Sequence, residues 1–192
     1  MLENIKPALQ GRDLGGLARG FDQIVVLRDA VLVYLQKVGR HEFSDLEAGE
    51  HARLVTATGE LEGMAAAISR DLAPLVAEFE TAKIVLSKET AELLERLLQA
   101  IEESARSALH ALVERDEQAA QAVLAKRGEI AGLTAEVQQL QAARLAQDDP
   151  DRFTKHRLQI ELLDRLRRIY SVSEHMAISV LPRSLLAGDL YS

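Results

Sequence analysis

The chain has 192 residues, enough for one domain or two small repeats, and a formal net charge of −7. An acidic chain is a poor nucleic-acid binder, because neutralising phosphates requires a positive face. The absence of cysteine excludes disulfides, thiolate nucleophiles and zinc–cysteine sites. Hydrophobic residues make up 47% of the chain and aromatic residues only 4%. A mixture of this kind, dominated by Ala, Leu, Glu, Arg and Gln, is typical of helices.

The first predicted helix runs from about Leu14 to Val38, and Gly39 ends it. Its apolar residues recur at three- and four-residue steps, which indicates one buried face. Further apolar residues widen that surface beyond one face, so the helix lies inside a bundle or meets a partner. These residues form the predicted partner or dimer seam: Val25, Val26, Leu32 and Val33. The stretch is too short and too charged to cross a bilayer, which needs about 20 mostly apolar residues.

The second predicted helix begins at Ser44, where Glu47 completes a capping box. It continues into the seventies, and Pro74 predicts a kink or a break at Ala73, because proline lacks a backbone donor. Ser87 is the predicted N-cap of the third helix.

Asp116 is the predicted N-cap of the fourth helix, and the Asp-Asp-Pro sequence at 148–150 separates it from the fifth. The fifth helix is predicted from about Asp151 to Leu181. Stripes at heptad-like spacing joined by short polar breaks predict an all-α fold of antiparallel helical bundles.

Three arginines interrupt the apolar pattern of the last helix in the stretch "LLDRLRRIYSVSEHMAISVLP". Arg165 and Arg168 stand four residues after Glu161 and Asp164, an order that stabilises a solvated helix face. Arg167 stands three residues after Asp164. The three arginines are therefore either a solvated face or an interaction surface.

Catalytic motifs are absent from the sequence. No histidine follows a glutamate by three residues, as a di-iron carboxylate bundle requires. There is also no phosphate-binding glycine loop and no G-x-S-x-G. Glu47 and His51, four residues apart, are the nearest substitute, and together with Glu62 they define a remote alternative, a metal-dependent helical-bundle enzyme.

Three stretches resemble the PhoU-like cytoplasmic domain of bacterial sodium/phosphate cotransporter family proteins. These are "ATGELEGMAAAISRDLAPLVAEFETAKI", "LSKETAELLERLLQAIEESARSALHALVERDEQAAQAVLAKRGEIAGL" and "HRLQIELLDRLRRIYSVSEHMAISVLP", and the resemblance covers about residues 55 to 182. It implies PhoU-like three-helix units. We therefore expect an N-terminal, shortened unit over 1–84, a second unit over 85–182 and a tail over 183–192.

The wider PhoU family binds metal through acidic-x-x-x-Asp motifs, one in the last helix of each unit. The first motif falls here on Glu62 and Ala66, and the second on Arg167 and Ser171. Three of these four positions cannot supply a carboxylate, so the resemblance implies no multinuclear metal cluster. We expect no cofactor, and Glu62 is the one remaining candidate metal ligand.

The resemblance implies a non-enzymatic regulatory domain at the inner face of the plasma membrane, with the native chain continuing N-terminally into apolar spans. Its partner would be the transmembrane part of the same chain or a separate sodium/phosphate transporter. The arginines would then face anionic lipid or an acidic partner. The alternative is a free-standing regulator that binds a transporter or kinase in trans, with the first helix as a partner surface or homodimer seam.

Overall fold

The computed structural model describes residues 14–39, 43–82, 84, 86–145 and 152–182. These residues form helices and no strand, which confirms the predicted all-α bundle. The predicted tail at 183–192, the break at 148–150 and the helix start at Asp151 lie outside the described residues. The helices are α1 (Leu14–Val38), α2 (Asp45–Ala66), a π-helical segment (Ala67–Leu72), α3 (Ala73–Thr81), α4 (Lys88–Glu114), α5 (Glu117–Ala125), α6 (Arg127–Leu145) and α7 (Arg152–Val180).

The three predicted N-caps are all confirmed. Ser44 and Glu47 form the reciprocal capping box at the start of α2, in which the Ser44 amide donates to Glu47 Oε2 at 2.9 Å. Ser87 Oγ accepts the Thr90 amide at 3.3 Å, which caps α4. Asp116 Oδ1 accepts two amides at 2.9 and 3.0 Å at the start of α5. Each cap pairs backbone donors that a helix N-terminus would otherwise leave unsatisfied.

Pro74 changes the type of the helix and does not break it. The helix type switches at Ala73, where α3 follows the π-helical segment and the Ala73 amide donates to the Ile68 carbonyl. Pro74 has no amide proton and its ring crowds the carbonyl four residues back. A wider turn ahead of the proline lets the chain continue from α2 into α3 as one rod.

Successive helical runs are antiparallel, as contacts between distant residues show. In α1 and α2, Leu35 contacts His51 while Arg28 contacts Glu62, so residue numbers rise in one helix as they fall in the other. The same reversal relates the α2–α3 rod to α7, where Asp71 pairs with Arg168 and Glu78 with Arg157. The turn at Arg115 and the Lys126–Glu103 pair at 3.1 Å place the two ends of α5 along α4, so α5 is antiparallel to α4.

The core is centred on α7, which packs against α2, the π-helical segment and α3 to α6. The predicted α7 stripe is buried from Leu158 to Met176, and Val180 at its end is half-buried. Ile68 and Leu72, which precede the predicted unit boundary at 84/85, share one hydrophobic cluster with Leu97, which follows it. The division into two units stays a prediction.

Two polar contacts attach the α5–α6 joint to α7. The Tyr170 hydroxyl donates to the Val123 carbonyl at 3.0 Å, and Arg127 Nε donates to Glu174 Oε1 at 2.8 Å. Burial, together with the nearby Glu174 charge, raises the pKa of Tyr170 well above its usual range. Tyr170 therefore stays a neutral hydrogen-bond donor in the core.

Gln141 on α6 is a polar residue at a buried position of the bundle. The residue is 4% exposed, and its Oε1 and Nε2 atoms have no hydrogen-bond partner in the described part of the chain. An unpaired buried amide costs about 1–3 kcal/mol. Replacing it by the similarly sized, apolar methionine removes that cost while keeping the space filled.

We expect Gln141→Met to raise the free energy of unfolding by about 1 kcal/mol or more, because it removes the unpaired amide. Urea unfolding followed by circular dichroism measures the change. Gln138→Met, at an exposed position of the same helix, is the matched control and should stay within about 0.5 kcal/mol of the wild type. A loss of stability in Gln141→Met alone would show that the amide has a partner in solution.

The Asp116 cap makes part of the stability depend on pH. Hydrogen bonds from the Ala119 and Gln118 amides, with the nearby His110, hold the pKa of Asp116 below its ordinary value. The stabilisation by the ionised Asp116 cap is therefore present above the ordinary aspartate pKa and is lost as the pH falls through the lowered pKa of the folded state.

Asp116→Asn keeps the cap without the titration, so the Tm of this variant should fall less between pH 5 and pH 3 than the wild-type Tm. Equal falls in calorimetry would contradict this assignment.

Candidate interaction surface on α1

Helix α1 is held to the bundle along one side. Leu35 is buried and Val31 half-buried on the side that faces α2. Arg28 forms an ion pair with Glu62 of α2 and a second one with its neighbour Asp29 at 2.6 Å. In the described residues α1 packs mainly against α2, the π-helical segment and α3, so its opposite side faces outward.

Gly39 and His51 contact each other at the corner between α1 and α2. The Gly39 amide donates to the Leu35 carbonyl at 2.8 Å, which ends α1 as predicted. His51 Nε2 lies 2.8 Å from the same carbonyl, and since a carbonyl can only accept, Nε2 carries the proton. A Cβ atom at residue 39 would lie 3.2 Å from both His51 Nε2 and the Leu35 oxygen. Glycine therefore lets the imidazole close the corner, where it also contacts the Phe43 ring at a centroid distance of 5.2 Å.

The outward side of α1 carries five apolar residues, Val26, Leu27, Ala30, Val33 and Tyr34, which we call the outer stripe. The four large side chains are 69%, 65%, 50% and 66% exposed, in the order Val26, Leu27, Val33, Tyr34. They recur at three- and four-residue steps, half a turn from the buried Leu35. This spacing is the pattern of a helix that packs against another helix on that side as well.

The predicted seam is placed only in part on this stripe. Val26 and Val33 belong to it. Leu32 is 37% exposed but lies on the side of Arg28 and Leu35, and Val25 is half-buried. Leu27 and Tyr34 were missed by the sequence analysis, although both follow the helical period from Ala30. The sequence signal for these two residues is a second apolar stripe on the same helix, which can be recognised only after the buried residues are assigned to the first stripe.

The arginines of α7 have three different environments. Arg168 pairs with Asp71 of the π-helical segment at 2.9 Å, so the expected pair with Asp164 on its own helix is wrong. Arg165 does not pair with Glu161 as expected; it is half-buried, and its Nε atom has no acceptor in the described part of the chain. Arg167 is exposed and forms no ion pair with any described residue.

The positions of the two metal motifs do not form a carboxylate cluster. Glu62, the candidate ligand, is part-buried and accepts from Arg28, while Ala66 is half-buried on the same helix. Arg167 and Ser171 lie one turn apart on the exposed face of α7. Among the residues that the structure describes, no three His, Cys, Asp or Glu side chains converge to hold a metal ion.

The residues of the enzyme alternative are also separated by their contacts. Glu47 is engaged by Ser44 in the capping box, and those hydrogen bonds hold its pKa below the ordinary value. His51 closes the α1–α2 corner, and Glu62 pairs with Arg28. Each side chain has a structural contact of its own, and the structure does not bring the three together.

No family model, no curated protein and no solved structure matches the chain. The helices in the described ranges are each too short or too polar to cross a membrane.

We expect opposite sides of α1 to respond differently to truncation. Leu35→Ala removes a buried side chain and should lower the free energy of unfolding by about 2–5 kcal/mol or detach α1 locally. Leu27→Ala, on the outer stripe, should change it by less than about 0.5 kcal/mol in dilute solution. Hydrogen exchange of α1 amides, read beside urea unfolding, measures both effects. An equal loss of protection in the two variants would contradict the one-sided attachment of α1.

Proposed function

We propose that the chain is a non-enzymatic regulatory domain that acts through contacts of its helices, in the setting of a sodium-dependent phosphate transporter. The outer stripe of α1 carries the first part of this proposal. The resemblance of residues 55–182 to the PhoU-like domain of sodium/phosphate cotransporter family proteins supports the second part. The domain would lie at the cytoplasmic face of the membrane.

The energetic argument starts from the exposed apolar area. Burying a large apolar side chain stabilises a protein by roughly 1.5–3 kcal/mol. The apolar stripe of α7 is buried in this way from Leu158 to Met176. Single exposed apolar residues are ordinary, but a contiguous patch on one helix face marks a contact surface. Four large side chains on two turns of α1 form such a patch.

The polar residues favour the same interpretation. Three residues have the best spacing for chemistry, and each has a structural role. His51 binds the Leu35 carbonyl at the α1–α2 corner, Glu47 caps α2, and Glu62 forms an ion pair with Arg28. Those roles position α1 and α2 and leave the outer stripe facing outward. These polar contacts thus support a binding function, because they hold α1 with its apolar outer stripe exposed.

The arginines contribute less to the proposal than the sequence suggested. A basic group near anionic lipid is worth about 1 kcal/mol, and Arg168 already pairs with Asp71. Of the three, only Arg167 is both exposed and free of an ion pair with a described residue. One such group is a weak anchor, so we assign the main contact to α1.

Phosphate uptake by the native cells tests the proposal. Val26→Glu combined with Val33→Glu places two charges on the outer stripe and should alter sodium-dependent uptake of radioactive phosphate, because the contact is lost. Gln36→Glu combined with Gln138→Glu adds the same charge at exposed polar positions away from the outer stripe and should leave uptake unchanged. Immunoblots must show equal amounts of both variants. Unchanged uptake in the outer-stripe variant would refute the transporter role.

Fractionation of the same cells separates the two forms of the proposal. A band much larger than 21.1 kDa in the membrane fraction means that the domain is part of a transporter chain. A band near that mass in the soluble fraction means a free-standing regulator that acts in trans. An antibody raised against this domain is sufficient for the measurement.

A further inference from the structure

We draw no further inference here: the strongest candidate, the outer stripe on the exposed side of α1, is an apolar helix face, and nothing in the described part of the chain shows what covers it.

Discussion

Burial of one broad face of α7 is the constraint on which the rest of the bundle depends. The α2–α3 rod, α4, and the pair α5–α6 each pack against this helix. Leu158, Leu162, Leu166 and Ile169 are almost wholly removed from solvent, and Met176 continues the same face. A helix in contact with every neighbour in the core transmits order between them, because close-packed interiors leave little freedom for one element to shift alone.

Helix α1 is attached in a different way. Its described side chains, in the range 23–39, lie outside the core cluster. It holds to α2 through Leu35, the Arg28–Glu62 pair and the Gly39–His51 corner, and keeps a second apolar stripe outward. A helix segment attached by few buried contacts, as 25–38 is among the described side chains, opens more readily than the core. Binding surfaces are often built on such elements, since a partner can supply the burial that the fold leaves out. The core of the bundle thus does not depend on burial of the outer stripe, which leaves the stripe available for a contact.

Several ion pairs among the described residues join different helices of the bundle. Arg168–Asp71 and Arg157–Glu78 connect α7 to the α2–α3 rod, Arg127–Glu174 connects it to α6, and Lys126–Glu103 connects the α5–α6 joint to α4. Exposed pairs of this kind contribute little stability each. Their effect lies in register, since a helix shifted by one turn would lose several pairs at once. These paired arginines, lysines and carboxylates therefore need no binding site to account for their charge.

The sequence by itself determined what depends on neighbours along the chain. The helix at Leu14–Val38, the caps at Ser44, Ser87 and Asp116, and the buried stripe of α7 follow from local hydrogen bonds and the 3.6-residue period. Only the tertiary structure decided what depends on residues distant in sequence. Three findings each require knowing which helix faces which. These are the pairing of Arg168 with Asp71 in place of Asp164, the engagement of Glu62 by Arg28, and the burial of the Gln141 amide without a partner among the described residues. The outer stripe shows the same division, because periodicity showed that α1 is apolar on more than one side, and only packing decided that Val26, Leu27, Val33 and Tyr34 remain outside.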